Sequence, residues 1–259
     1  MTVVHLRSCS SMIVYEYPLN ERVRTWLRIE DLFAKASEFK ARCEPRDHQV
    51  AMQAIFELVE VTARPDLKSE LLQEIERQRI VFEPLRSNPA VNGKALEAVL
   101  AQMQATRETL LATSGKPCQS LRDNEWLATI RNRSFIPGAS CSFDIPSYHY
   151  WLNRSIEERT ADLEGWLAVL DPIRDAVQLV MRLLREGRQR SAVQAEKGLY
   201  QINLGGRTPM LLTVRVPPDL PCVPEISAGK HVINLRFVTI DKQHRPRLCE
   251  QDVPFELML

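Results

Sequence analysis

The chain has 259 residues, of which 44% are hydrophobic and 26% charged, as is typical of a soluble globular protein with one large domain or two modest ones. Lysine and arginine number 34 against 33 aspartates and glutamates, so no overall basic field favours a nucleic acid or an anionic membrane as partner. The nine glycines all lie from Gly93 onward and are about half the usual share of roughly 7%. The glycine-free N-terminal part therefore favours helices over phosphate-binding loops.

The six cysteines stand far apart and form no Cys-x-x-Cys pair, which predicts a reduced cytoplasmic chain. We expect no metal and no cofactor, since no ligand or nucleotide motif is present. No apolar run approaches the roughly 18 residues that cross a bilayer, so membrane insertion is not expected. Residues 1–11 are polar and lack the apolar core of a signal peptide, which predicts a disordered extension and makes Met12 an alternative start.

The first predicted element is a strand over residues 12–18, where β-branched and aromatic side chains precede a proline. Helical spacing of apolar residues then begins after Asn20, a good N-cap, and continues with proline breaks to Gly187. We expect Asp47 to cap the second helix, Ser120 to open the fifth, and Ser155 to begin a helix with a capping box.

The period of the apolar residues changes to two in the C-terminal part, where glycine and proline are frequent. The predicted strands cover residues 199–204, 210–216, 231–240 and 253–257. The sequence thus predicts an α+β fold, in which an N-terminal and central all-helical bundle precedes a mostly antiparallel β domain that the N-terminal strand could join. The expected boundaries are an extension over 1–11, the strand over 12–18, a helical domain over 19–190 and a β domain over 191–259.

One cluster contains the residue types of thiol catalysis. Cys141, Asp144 and His149 could supply a nucleophile, an orienting carboxylate and a base. However, nucleophile and base usually come from distant segments, and no family signature surrounds this cysteine. A structural cysteine in a packed loop over 136–146, followed by a half-buried histidine, is the simpler interpretation. A cysteine-dependent hydrolase using Cys141 and His149 is the alternative hypothesis.

Basic residues near aromatic ones are the other candidates. Arg24 and Arg28 flank Trp26 in the first predicted helix, and Lys230 and Arg236 lie on or beside one predicted strand. Each cation alone is most simply a solvated surface charge. Together they could form a pocket for a peptide that carries carboxylates and apolar anchors, because arginine offers a bidentate fork and aromatic rings a floor.

The stretch PLNERVRTWLRIE over residues 18–30 is more specific than these patterns. Together with the segment over 136–146 and the following residues 149–152, it resembles the ZapD family of bacterial cell-division proteins. The resemblance runs from about Met12 to Leu259. It implies a cytoplasmic, non-enzymatic homodimer, built from a helical and a β domain, that is recruited to the mid-cell division ring. There it would bind the C-terminal tail of FtsZ, the tubulin-like division GTPase, and bundle FtsZ filaments to promote Z-ring assembly at the septum.

The resemblance also implies a charged surface for the FtsZ tail. The residues that match this surface are Arg28, Arg64, His149 and Arg236, with Arg24, Trp26 and Lys230 as further candidates. Two positions depart from the family's pattern, because Glu125 and Val232 stand where family members can carry arginine. The pocket of this chain is therefore expected to be either less basic or differently arranged.

Overall fold

The computed structural model describes residues 12–113, 118–134, 136–138, 141–240 and 245–259. The predicted extension over 1–11 lies outside these residues. The helices are α1 (Glu21–Lys40), α2 (Pro45–Thr62), α3 (Leu67–Phe82), α4 (Gly93–Ala112), α5 (Gln119–Asp123), α6 (Glu125–Ser134), α7 (Pro146–Leu152), α8 (Ile156–Ala168) and α9 (Asp171–Arg185), with a 3-10 helix at Glu83–Ser87. The strands are β1 (Ile13–Pro18), β2 (Ser191–Ala195), β3 (Leu199–Asn203), β4 (Leu211–Val216), β5 (Val223–Ala228), β6 (Val232–Ile240), β7 (Pro246–Leu248) and β8 (Val253–Met258). The predicted α+β class is confirmed.

The chain divides into two compact units. The helical unit runs from Thr25 to Leu183, and the strand unit combines the described residues up to Arg24 with those from Leu184 onward. The division therefore falls inside α1 and inside α9.

Capping residues explain several helix starts. The Asn20 carboxamide oxygen accepts a hydrogen bond from the Val23 amide at 2.9 Å, and Ser155 forms the predicted capping box at the start of α8. The expectation for Asp47 is wrong, because α2 begins earlier, at Pro45, where proline suits the first helical position. The expected fifth helix is two helices, since Gln119–Asp123 ends before Asn124, whose side chain caps α6.

The strand unit is built from two four-stranded antiparallel sheets. The first has the order β1-β4-β8-β2, and the second has the order β3-β6-β5 with β7 beside β6. The N-terminal strand β1 joins the first sheet, as the sequence suggested. Apolar side chains from both sheets form one buried cluster, which includes Val214, Phe255, Leu235 and Phe237. These buried side chains are the inward-facing residues of the apolar period of two in the strand sequences.

The β2–β3 turn carries the chain from the first sheet to the second. Lys197 and Gly198 both have positive φ angles there, of 47° and 73°. The Gly198 oxygen accepts a hydrogen bond from the Phe237 amide of β6 at 2.7 Å. A Cβ atom at Gly198 would lie 2.7 Å from the Cys249 carbonyl oxygen, so glycine is needed here for both conformation and space.

Candidate protein-binding site

Helix α1 separates its apolar residues from its cations. Val23, Trp26 and Ile29 have no exposed surface, whereas Arg28 is exposed. Among the described residues, no hydrogen bond or ion pair involves the Arg28 side chain. Arg24 differs, because its guanidinium pairs with Glu21 one turn earlier at 3.2 Å. Arg28 is therefore an α1 cation that is available to an incoming carboxylate.

Trp26 does not fit the sequence expectation of an aromatic floor. Its ring lies on the same helical face as Val23 and is fully buried, so it offers no surface to a bound peptide. Its indole nitrogen has no hydrogen-bond partner among the described residues, which raises the free energy of burying this side chain. In this structure, Trp26 is a core residue beneath the exposed side of α1.

Arg64 is held in place by contacts within the helical unit. Two of its guanidinium nitrogens donate to the Asp66 carboxylate, at 3.2 and 2.9 Å. A third nitrogen donates to the Thr25 hydroxyl of α1 at 2.9 Å, and Glu70 lies 3.8 Å away. Because Thr25 and Arg28 are three residues apart on one helix, they lie on neighbouring positions of its surface. The structure thus brings Arg64 next to the turn of α1 that carries Arg28.

His149 lies on the outer side of α7. The neighbouring aromatic residues differ in burial: Tyr148 and Trp151 are only 3% and 4% exposed, whereas Tyr150 is 73% exposed. His149 itself is exposed, so the expectation of a half-buried histidine is wrong. The reason is that α7 presents its Tyr148–Trp151 side, and not its His149 side, to the protein core.

An aromatic cluster anchors α7. The Tyr148 and Trp151 rings stack with centroids 6.1 Å apart, and Trp126 and Trp166 pack around Trp151. The Trp151 indole donates to Asp162 at 2.8 Å, and the Trp126 indole donates to Ser147 at 3.1 Å. Burial raises the pKa of Tyr148 well above its usual range. The tyrosine is consequently a neutral part of the packing that fixes the orientation of α7.

The loop before α7 does not have the packing that its composition suggested. In its described part, Ile136 is 57% and Phe143 is 80% exposed, and only Ile145 is buried. The Cys141 carbonyl accepts hydrogen bonds from the amides of Asp144 and Ile145, so this part of the loop turns on itself. The prediction of a packed loop is therefore wrong for Ile136 and Phe143.

The hydrolase alternative has no supporting geometry. The Asp144 carboxylate lies 3.7 Å from Arg133, and no contact between it and His149 is present among the described residues. Cys141 and His149 are both exposed. No hydrogen bond of the Cys141 thiol or the His149 ring is present among the described residues, although a thiol–imidazole contact is the signature of an activated cysteine.

Arg236 lies on the solvent side of the second sheet. In β6, Asn234 and Arg236 are exposed and Ile233, Leu235 and Phe237 are buried, as the alternation predicted. Val238 was expected to face outward but is buried, because it lies between Val223 of β5 and Leu248 of β7. The alternation therefore fails at Val238, where the cross-strand neighbours on both sides are apolar.

The row of residues around Arg236 combines charge with apolar surface. Leu199 of β3 and Glu225 of β5 pair with Arg236 on either side. Leu199 is 52% exposed, and the Glu225 carboxylate lies 3.8 Å from the guanidinium. Such an exposed and long ion pair stabilises little, so Arg236 can exchange it for another carboxylate. Lys230 is exposed in the turn before β6.

The seven predicted residues are divided between the two units. Arg24, Lys230 and Arg236 belong to the strand unit, and Trp26, Arg28, Arg64 and His149 to the helical unit. The two departures from the family pattern also differ, since Glu125 is exposed in the first turn of α6 and Val232 is half-buried at the start of β6. Sequence reasoning missed the exposed Leu199, Phe143 and Tyr150 as apolar contact candidates. Of these, only Tyr150 has a signal in the sequence, because it directly follows His149.

Across the described residues, no helix is long and apolar enough to span a membrane. In the same part of the chain, histidine, cysteine and carboxylate side chains form no group of three or more that could hold a metal ion.

Comparison with known proteins assigns the family. The model of the ZapD family, described as a cell division protein, matches residues 27–236. This range contains Arg28, Arg64, His149, Lys230 and Arg236. The cell division protein ZapD of Aromatoleum aromaticum is 50% identical over 246 residues, which cover 95% of this chain and 96% of the relative. The cell division protein ZapD of Azoarcus sp. is 47% identical over 246 residues, covering 95% of this chain and 98% of the relative. The chain therefore belongs to the ZapD family of cell division proteins.

Proposed function

We propose that this protein binds the C-terminal tail of FtsZ and, as a homodimer, cross-links FtsZ filaments into bundles that promote Z-ring assembly. Membership in the ZapD family supports the role in division. The single structural observation that carries the tail-binding proposal is the exposed Arg28 guanidinium, which has no ion-pair partner among the described residues and lies beside the fixed Arg64. In this proposal the protein acts in the cytoplasm and reaches mid-cell through FtsZ, without catalysing a reaction.

The two arginines have different roles in the proposed contact. Arg28 can turn toward a peptide carboxylate and bind it with two parallel hydrogen bonds. Arg64 keeps its guanidinium on Asp66 and Thr25, so it contributes a positive charge at a fixed place more than a free fork. His149 presents its ring from α7 and adds an exposed hydrogen-bonding group.

The second sheet offers a complementary surface. Arg236 supplies a weakly paired cation, and the exposed Leu199 beside it supplies an apolar contact. A tail with both acidic and apolar residues can use both features, whereas a purely acidic ligand would use only the first. Binding led by such exposed charges weakens as salt increases, because screening acts strongly on exposed pairs.

A dimer explains how one small chain can bundle filaments. The sequence has no internal repeat that would provide two equivalent binding sites, and a two-fold axis provides them. Each contact can be individually weak, since many tails along one filament act at a high effective concentration. A monomer with an intact tail site would therefore bind FtsZ without bundling it.

The proposal is tested by sedimentation of FtsZ polymers with wild-type protein and with Arg28→Glu. We expect the substitution to abolish co-sedimentation and bundling at about 0.1 M salt, where exposed charges still interact over roughly 10 Å. Lys94→Glu is the matched control, because it makes the same change in net charge at an exposed position on the first turn of α4. Equal bundling by folded Arg28→Glu and wild-type protein across a salt series would show that the basic surface is not the tail site.

A further inference from the structure

The outer face of the second sheet carries three uncharged polar side chains in a line. Asn234 of β6 pairs with Gln201 of β3 on one side and with Ser227 of β5 on the other. All three residues are exposed. Because residues directly opposite in an antiparallel pair have Cβ atoms about 5 Å apart, these side chains form one continuous row across the sheet, the polar row.

The hydrogen-bonding groups of the polar row are unused. Among the described residues, no hydrogen bond involves the side chain of Gln201, Asn234 or Ser227. Asn203, two residues further along β3, differs because its carboxamide oxygen accepts a bond from the Gly205 amide at 3.0 Å. A free carboxamide offers both N–H donors and a carbonyl acceptor. The polar row can therefore bind a ligand that presents donors and acceptors together.

The neighbouring row on the same face supplies charge and apolar surface. Arg236 stands two residues beyond Asn234 on β6, between Leu199 of β3 and Glu225 of β5. Side chains on one face of a strand repeat every two residues, roughly 6.5–7 Å apart. The polar row and the row through Arg236 therefore run side by side at that spacing.

This spacing favours an extended polypeptide as the occupant. A peptide in the extended conformation repeats its own side chains on one side at the same interval of roughly 6.5–7 Å, so a carboxylate above Arg236 leaves main-chain groups above the polar row. A nucleic acid fits less well, because the Glu225 carboxylate repels phosphates and neither row contains an aromatic ring on which a base could stack.

We propose that an extended acidic segment of the FtsZ tail lies across this face, with its main-chain N–H and C=O groups hydrogen-bonded to Asn234 and Gln201. In this arrangement Arg236 binds a carboxylate of the segment, and Leu199 contacts an apolar side chain. The inference rests on the proposed function and deepens it, because it assigns residues that recognise the main chain of the tail. Main-chain hydrogen bonds contribute affinity to an extended peptide, whereas side-chain contacts select its sequence.

The affinity of a synthetic FtsZ tail peptide, measured by fluorescence anisotropy, tests the role of the polar row. Gln201→Ala and Asn234→Ala are compared with wild type, and Gln53→Ala is the matched control, because Gln53 is an exposed carboxamide of α2 without a hydrogen bond among the described residues. We expect the Kd to rise roughly 5-fold in each row variant, as the loss of one hydrogen bond predicts, and to stay unchanged in Gln53→Ala. Circular dichroism establishes that each variant is folded.

Salt dependence separates the main-chain contact from the charge contact. As salt increases, wild type and Asn234→Ala should lose affinity in parallel, because a neutral carboxamide contributes no screened charge. Arg236→Ala should lose less affinity than wild type over the same series. Peptides with single N-methylated main-chain nitrogens give a direct readout. The methylation that weakens binding to wild type roughly 5-fold should leave binding to one of the two row variants unchanged, because both changes remove the same hydrogen bond.

Failure of this inference differs from failure of the proposed function. If wild type binds the peptide and both row variants bind it as tightly as Gln53→Ala, the inference is wrong and the proposed function stands. Additive effects of every N-methylation and both row substitutions would also overturn the inference. So would single-stranded RNA that binds wild type but not Asn234→Ala, since it would assign the face to another class of partner. If wild type does not bind the peptide, both the inference and the tail-binding proposal are wrong.

Discussion

Replacing Gly198 with alanine is expected to destabilise the strand unit by about 2–5 kcal/mol, because the substitution disturbs the backbone in two ways. The φ angle of Gly198 is 73°, in the left-handed region. An alanine Cβ at this position would lie 2.7 Å from the Cys249 oxygen and 3.0 Å from the Phe237 oxygen. Both neighbours are backbone atoms of strands or strand ends, so neither can move as a flexible side chain would.

The expected magnitude has a conformational and a steric part. A residue with a Cβ in the left-handed region raises the free energy of the folded state by about 1–2 kcal/mol. Forcing extra volume into closely packed backbone adds roughly 1–3 kcal/mol. Gly187 separates the two, since its φ angle is 75° and nothing lies within 4 Å of a Cβ built there. Gly187→Ala should therefore show the conformational part alone.

The assay must report on the strand unit. All four tryptophans lie between Thr25 and Leu183, so tryptophan fluorescence follows the helical unit. Native-state hydrogen exchange at the Phe237 amide, which donates to the Gly198 oxygen at 2.7 Å, follows the strand unit. The steric argument predicts that exchange accelerates more in Gly198→Ala than in Gly187→Ala, and equal acceleration in the two variants would refute it.

Two further predictions concern local interactions. Asn20→Ala should destabilise the start of α1 by about 1 kcal/mol, because the Val23 amide loses its 2.9 Å partner. Asn20→Asp should change the free energy of unfolding by only about a few tenths of a kcal/mol, since the carboxylate accepts the same hydrogen bond. Chemical denaturation of both variants tests the difference, and equal losses of stability would contradict it. Burial raises the pKa of the Cys118 thiol, which contacts the Thr62 hydroxyl at 3.0 Å. Above the unfolded thiol's pKa of about 8.5, the unfolded chain releases a proton that the folded chain keeps, so stability should fall with pH by up to roughly 1.4 kcal/mol per unit. Denaturation midpoints of Cys118→Ala should fall less steeply between pH 8 and 10, and a slope equal to that of wild type would exclude this thiol as the cause.

Local sequence signals predicted the helical unit well. Asn20 and Ser155 cap helices where expected, because a cap depends on residues only three positions apart. Asp66 shows the limit of such signals. It stands at the N-cap position of α3 but makes no side-chain cap, since its carboxylate binds Arg64 instead. Nothing in the local pattern distinguishes a capping carboxylate from one that holds an arginine.

The sequence did not predict β2, β5 or β7, and proline explains the last two omissions. β5 and β7 include Pro224 and Pro246, and proline usually argues against a strand. Both strands lie beside β6 at outer positions of the second sheet, where a missing amide donor is tolerated. Because the position of a strand within a sheet depends on residues distant in the sequence, this exception could not be derived from local composition.

The candidate site shows the same division between local and long-range information. The helical period alone separates Arg28 from the apolar face that contains Val23 and Trp26, so the exposure of Arg28 and the burial of Trp26 both follow from spacing on one helix. Arg64 differs, because its Thr25 partner is 39 residues away. Its fixed guanidinium, unlike the exposed one of Arg28, could only be recognised once the fold had placed α1 beside the start of α3.

Because Arg28 lacks the internal contacts that Arg64 makes, substitutions of the two arginines should have different effects. Substitution of Arg28 removes a charge with no internal partner among the described residues, so a loss of FtsZ binding would report on the tail contact itself. Substitution of Arg64 also removes its contacts with the buried Glu70 and with the Thr25 hydroxyl, and the loss of such internal contacts destabilises a fold. A binding defect at Arg64 therefore mixes recognition with stability, and Arg28 is the residue at which the proposed function can be judged without that ambiguity.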